Sequence, residues 1–252
     1  MIYLRSRDAK PRAKGMTMML DKGLDYATFK SLIYDYHELI DMIKFGWGTA
    51  LLSNRINEKI ALCREYSIEP MLGGTLYEYC MITDQMDNFY NLLDSQNIKI
   101  VEVSNGAGMI KNSNLMACIS FLSQERQVFH EVGRKGAIQS NKMTTNEWIT
   151  QISEGMLAGA SMTILESRES GRAGICDDSG NLKASLINHI VSNYGTAKLI
   201  FEAPSSSLQG MLINAYGSDI NLGNIDHIDI VGVESLRLGL RYDTLSTNCQ
   251  IQ

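Results

Sequence analysis

The chain has 252 residues, 44% of them hydrophobic and 20% charged, with a net charge of -5, which is ordinary for a globular protein with one large core. No block of Lys or Arg stands out, so the electrostatic footprint of a nucleic-acid binder is missing. No apolar run approaches the roughly 18 residues of a membrane span and the start, MIYLRSRDAK, has no signal-peptide core, so no membrane partner and a cytoplasmic location are expected.

Residues 1–15 are polar and basic and read as an extended arm. A short apolar run at 16–20 then ends in Asp21-Lys22-Gly23, and 27–40 follows with Phe29, Leu32, Ile33 and Tyr36 at helical spacing. The same grammar recurs. The run 40–43 ends in Lys44 and Gly46-Trp47-Gly48 before a helix at 54–66; 68–72 ends in Gly73-Gly74-Thr75, with Glu78 just behind, before helical sequence at 77–95. Next, 98–101 ends in Glu102, Ser104, Asn105 and Gly106 before a helix at 112–124, and 127–129 ends in His130, Glu131, Gly133, Arg134 and Lys135. Thr144 followed by Glu147 marks the next helix start, with Trp148, Ile149 and Ile152 on its apolar face. The stretch 161–174, SMTILESRESGRAG, is the densest of the series: an apolar run that stops at Glu166, Arg168 and Glu169, charges that suit a site better than a core. A helix at 182–194 follows. The run 198–201 ends in Glu202 and Pro204 before a helix at 205–216, and Asp219-Ile220 leads into Asn221, Gly223 and Asn224. The apolar segment 228–233 precedes a closing helix at 234–239, and 240–252 reads as a polar tail.

Eight strand-helix units in about 250 residues predict an α/β fold, a single (β/α)8 TIM-type barrel of parallel strands filling one domain over 1–252. Five cysteines, Cys63, Cys80, Cys118, Cys176 and Cys249, lack any CxxC pair and read as free thiols, and the four histidines show no metal-ligand spacing. The Met-rich first strand, Met16, Met18 and Met19, reads as core.

Barrels of this type carry reacting groups at the C-terminal ends of their strands. There the sequence places Asp21, Lys22, Lys44, Glu78, Glu102, Glu131, Arg134, Lys135, Glu166, Arg168, Glu169 and Glu202. Clustered carboxylates are oxygen ligands for a hard cation such as Mg2+, and Lys or Arg beside them can hold an anion or deliver a proton. Any one of these charges can equally be a structural ion pair or a loop cap; their number on one rim favours an anionic, phosphorylated small-molecule substrate. Phosphate in barrels often sits in the loops after strands seven and eight, which assigns substrate contacts to Ser205, Ser206, Asn221, Gly223 and Asn224, with Lys22 and Arg134 as further anion ligands.

The motifs KPRAKGMTMMLDKG, IKFGWGTA, GGTLYE, VEVSNG, EVGRK, ESRESG, FEAP, NLGNI and LRLGLRYDT run nearly end to end, and the series resembles that of the phosphosulfolactate synthases. The resemblance implies a Mg2+-dependent barrel that adds sulfite to phosphoenolpyruvate, giving (2R)-phospho-3-sulfolactate, in coenzyme M synthesis or bacterial sulfolactate formation. It also implies Lys135 as the acid, Lys44 or Arg134 on an anion, Arg168 as a clamp for phosphate or sulfonate, and Glu102, Glu131, Glu166 and Glu202 as carboxylates for the metal. Four positions depart from the family's usual residue: Ser206 for Lys, Leu208 for Gln, Asn105 for Asp and Tyr242 for Gly. A paralogue using another nucleophile or phosphorylated acid, or a non-catalytic anion-binding barrel, fits the same residues. Barrels of this kind often self-associate, so a homo-oligomer is expected.

Overall fold

In a computed structural model, residues 3–168 and 170–248 are described, and eight parallel strands close in sequence order into a barrel. The strands are β1 (Thr17–Asp21), β2 (Met42–Phe45), β3 (Glu69–Leu72), β4 (Ile100–Val103), β5 (Gln127–Val132), β6 (Met162–Leu165), β7 (Leu199–Glu202) and β8 (Leu222–Ile225), with β1 pairing β8 to complete the ring. The helices are α1 (Tyr26–Tyr36), α2 (Thr49–Leu52), α3 (Ile56–Glu65), α4 (Gly74–Ile82), α5 (Met86–Ser95), α6 (Asn112–Leu122), α7 (Ala137–Lys142), α8 (Thr145–Leu157), α9 (Ala184–Tyr194), α10 (Ser206–Tyr216), α11 (Ile230–Arg237) and α12 (Tyr242–Asn248). The expected helices are all present, with two short additions, α2 and α7, in the loops after β2 and β5. The start predicted at Thr144 is a capping box: its hydroxyl accepts the Glu147 N–H and the Glu147 carboxylate accepts the Thr144 N–H.

Alternation along each strand divides the apolar residues into two cores. Met18, Met42, Met71, Ile100, Phe129, Ile164 and Ile200 point inward and fill the barrel. Their neighbours, among them Met19, Ile43, Val101, Val128, Leu165 and Phe201, face the helices. Two residues further along five of the strands, the inward side chains change from apolar to polar, and that step sets the floor of a cavity.

Two segments differ from expectation. The eighth strand begins after Asn221, not before it. Asn221 sits at the N-terminal end of the barrel, where its Oδ1 accepts the Met16 N–H at 3.0 Å and its Nδ2 donates to Leu199 O at 3.0 Å. Gly223 lies inside the barrel wall, where a Cβ would meet Met18 Cε at 2.6 Å and Ile200 Cγ2 at 2.9 Å. The segment predicted as a tail carries α12, packed on α10 and α11; Cys249, like Glu169, is outside the described residues.

The arm is tied across the N-terminal end of the barrel. Arg12 Nη1 lies 3.0 Å from Asp41 Oδ1, Lys14 Nζ 2.9 Å from Asp219 Oδ2, and Lys10 Nζ donates to the carbonyls of His37 and Tyr66. Arg7 pairs with Glu234 on α11. No helix among the described residues is long and apolar enough to cross a membrane. Cys63, Cys80, Cys118 and Cys176 are buried free thiols, and burial pushes Cys63 up to about 12.

Candidate active site

At the C-terminal end of the barrel a cavity of about 260 Å³ is lined by Lys44, Glu102, Glu131, Lys135, Glu166 and Glu202, with Gly73, Gly74, Thr75, Ser167, Arg168, Asn224 and Trp47 around its mouth. The strand period explains the set. Lys44 follows inward Met42 by two residues, and Glu102, Glu131, Glu166 and Glu202 follow Ile100, Phe129, Ile164 and Ile200 in the same way. Four carboxylates and one ammonium therefore line the C-terminal end of the barrel interior, all nearly inaccessible to solvent.

Their partners separate them into two groups. Lys44 Nζ donates to Glu102 Oε2 at 2.8 Å and to Glu202 Oε1 at 3.1 Å. Burial alone would depress this ammonium, but the charges of Glu102, Glu202 and Glu131 outweigh it and hold Lys44 well above the ordinary lysine value. The second oxygen of Glu102 accepts the Gly74 N–H at 2.8 Å, and the second oxygen of Glu202 accepts the Ser167 N–H at 3.0 Å. Glu102 and Lys44 are thus satisfied by protein alone.

Glu131 and Glu166 are not. Carboxylate oxygens of Glu131, Glu166 and Glu202 lie within 4.8 Å of one another, and Glu131 Oε1, Glu166 Oε2 and the side-chain Oδ1 of Asn224 are buried without a hydrogen-bond donor. Burial, reinforced by the charges of Glu131 and Glu202, raises Glu166 well above the usual carboxylate range. An all-oxygen donor set with unsatisfied acceptors and crowded negative charge suits a hard divalent cation. Glu102, expected in that set, is turned instead to Lys44 and Gly74.

Lys135 reaches the same cavity from the loop after β5, with Nζ 3.4 Å from Glu131 Oε1, 3.5 Å from Glu78 Oε1 and 3.4 Å from Thr75 Oγ1. Burial would lower its pKa, yet the surrounding charges of Glu131, Glu166 and Glu78 raise it, so the group enters the cavity as an ammonium. Glu78, on α4, is also ionised: burial opposes this, but Lys135, the Ser104 hydroxyl and two backbone amides outweigh burial and lower its pKa. Arg168 is exposed at the mouth and donates to Lys135 O at 3.1 Å.

Of the residues assigned from sequence, Lys44, Lys135, Arg168, Glu102, Glu131, Glu166, Glu202 and Asn224 share this cavity. Six do not. Asn221 and Gly223 are at the start and middle of β8, as above. Arg134 turns outward, donates to Asn105 O and lines a separate cavity between α6 and α8. Lys22 pairs with Asp226 at 2.6 Å on the outer rim and lies 5.7 Å from the Trp47 ring. Ser205 caps α10, and Ser206 Oγ accepts from Arg241 Nη1 at 2.7 Å, facing α12. Asp21, also expected at the rim, faces the helices and pairs with Lys59 on α3. Glu78, placed on the rim from sequence but given no role, completes the site together with Thr75, Ser104 and Ser167, to which no role was given either; Glu78 is a lone acid in the apolar helix LYEYCMI.

A closed barrel with an anionic cluster, two ammonium groups and a small cavity at its C-terminal mouth defines a barrel enzyme site for a small polar substrate. Residues 5–243 match the (2R)-phospho-3-sulfolactate synthase (ComA) family, and the chain belongs to that family of enzymes. It is 38% identical over 244 residues to the phosphosulfolactate synthase of Bacillus subtilis, covering 96% of this chain and 97% of that protein. It is 36% identical over 243 residues to the enzyme of the same name from Methanothermobacter thermautotrophicus, covering 95% and 94%. Among solved structures, the 3-hexulose-6-phosphate synthase of Salmonella typhimurium aligns with a TM-score of 0.57 at 11% identity, covering 94% of this chain and 100% of that one; the likeness is one of fold.

Proposed function

We propose that the enzyme adds sulfite across the double bond of phosphoenolpyruvate to form (2R)-phospho-3-sulfolactate with the help of Mg2+. The observation that carries this reading is an oxygen cluster, Glu131, Glu166 and Glu202, in which Glu131 and Glu166 each keep an oxygen without a hydrogen-bond donor, beside an adjacent ammonium, Lys135.

The sulfur lone pair forms the new C–S bond at C3, and the π pair of the double bond moves toward C2 and the carboxylate. That carbon then takes one proton, so one sulfite, one phosphoenolpyruvate and one proton give one product. Glu131, Glu166 and Glu202 are the residues that would hold Mg2+, which when bound supplies positive charge for the substrate's anionic oxygens. Lys135 is the acid for C2: it is charged, it stands 3.4 Å from the cluster, and Arg168 fixes its backbone carbonyl. Lys44 is locked between Glu102 and Glu202 and acts by orienting Glu202 and offsetting its charge. Arg168 at the mouth offers a guanidinium to an incoming phosphate or sulfite.

The departures from the family's usual residues fit this reading because they fall outside the cavity. Ser206 faces Arg241, Leu208 is buried in α10, and Tyr242 is exposed on α12. Asn105 closes its own loop, accepting Ile110 N–H and donating to Ile110 O, a double role that Asp lacks.

Replacing Lys135 by Ala tests the assignment. Turnover should fall by a factor of about 10² to 10⁴, the usual contribution of a positioned acid, with thermal stability close to wild type. Wild-type turnover in Lys135→Ala would remove it from the mechanism.

A further inference from the structure

Lys135 stands between two carboxylates, and they are not equivalent. Glu131 has an oxygen without a hydrogen-bond donor and belongs to the three-glutamate cluster. Glu78 is outside that cluster, and its oxygens are taken up by a different loop: Oε1 accepts the Ser104 hydroxyl at 2.5 Å and the Gly106 N–H at 3.1 Å, and Oε2 accepts the Ala107 N–H at 3.1 Å.

That loop also grips the lysine. The Lys135 N–H donates to Gly106 O at 3.1 Å, and the aliphatic stem lies so close to Gly106 that a Cβ there would meet Lys135 Cδ at 2.7 Å. Asn105 in turn ties the loop to Ile110. The loop after β4 therefore fixes Lys135 at three places: its backbone, its stem and, through Glu78, its ammonium.

We infer that Glu78 is the positioning residue for Lys135, holding the ammonium over the cavity so that Glu131 is left to the cation. The inference rests on Lys135 being the proton donor. Glu131 and Glu78 now share the ammonium almost equally, at 3.4 and 3.5 Å; without the Glu78 charge, Lys135 is left paired with Glu131 alone, and that one carboxylate then serves two cations. A role confined to holding the 104–107 loop would lower kcat through the backbone and stem of Lys135 but leave Mg2+ affinity at the wild-type value, and that outcome would overturn the inference.

The test compares Glu78→Gln, Ser104→Ala and Lys135→Ala with the wild type, measuring kcat and KM for phosphoenolpyruvate, and Mg2+ binding by calorimetry with magnesium chloride alone. Glu78→Gln should lose about 10² in kcat, the scale of a misplaced catalytic group, with KM nearly unchanged and Mg2+ bound several-fold more weakly. Ser104→Ala keeps the carboxylate and loosens it, so it should show the same pattern to a smaller degree; it also provides the reading should Glu78→Gln not fold. Wild-type kcat and Mg2+ affinity in Ser104→Ala and in folded Glu78→Gln, beside an inactive Lys135→Ala, would overturn the role of Glu78 and leave the proton donor in place. Full turnover in Lys135→Ala would overturn the proton donor, and the inference with it.

Discussion

Gly133 shows how much of this site depends on single atoms. It follows β5 with φ of +136°, and a Cβ there would lie 2.4 Å from Glu166 Cβ. Only glycine lets the chain turn at that point while Glu166 stands beside Glu131. Gly133→Ala should therefore displace Glu166 and weaken Mg2+ binding by a factor of ten or more in calorimetry, by analogy with losses of metal-site support; unchanged binding would show that Glu166 is not needed for the cation. One residue before Glu131, His130 faces the opposite way and is buried against α8, which depresses its pKa to about 4. Because the folded value lies below the unfolded value of about 6.5, the unfolded chain takes up the proton first. The stability it contributes is whole above pH 6.5 and lost as pH falls toward 4, by up to about 3 kcal/mol. Urea unfolding across that window should show the wild type losing about 3 kcal/mol relative to His130→Leu as pH falls; parallel curves would contradict the assignment.

At the scale of elements, the position of each charged group was legible in sequence and its direction was not. Strands of a parallel barrel are buried on both faces, so their apolar runs do not alternate and do not say which neighbour points inward. Asp21 and Lys44 both end such runs, yet Lys44 enters the cavity while Asp21 points outward to Lys59, 2.6 Å away on α3, with both side chains almost wholly buried. Breaking this pair leaves an uncompensated buried charge, so Lys59→Met should destabilise the protein by about 3–5 kcal/mol, measured by urea unfolding; a loss under 1 kcal/mol would mean water or a neighbour compensates Asp21. Arg134 and Lys135, adjacent in the loop after β5, also diverge: Arg134 donates to Asn105 O outside the cavity and Lys135 enters it. Glu78 was placed on the rim but given no role, because it reaches the site from a helix and not from a strand end.

Across the whole molecule, the recurrence of apolar run, charge and glycine made the eightfold barrel legible, and the motif series made the family legible. What the sequence concealed was the N-terminal end, where the arm, Asn221 and Arg237, a buried guanidinium that donates to Ile220 O and Met16 O, close the barrel through ion pairs and carbonyl contacts that leave no periodic trace. Arg12 pairs with the buried Asp41, whose other oxygen accepts the Thr17 N–H of β1. Arg12→Ala should cost about 3 kcal/mol and lower the melting temperature by several degrees, with kcat kept at 25 °C because the cavity is at the far end; loss of kcat in folded protein would link the two ends. The central claim concerns the cavity itself. It is tested most directly by incubating the purified enzyme with phosphoenolpyruvate and sulfite, with and without Mg2+, and following the ultraviolet absorbance of the enol. Loss of absorbance that requires both sulfite and Mg2+ is the predicted result; no loss from folded enzyme that binds Mg2+ would contradict the proposed reaction.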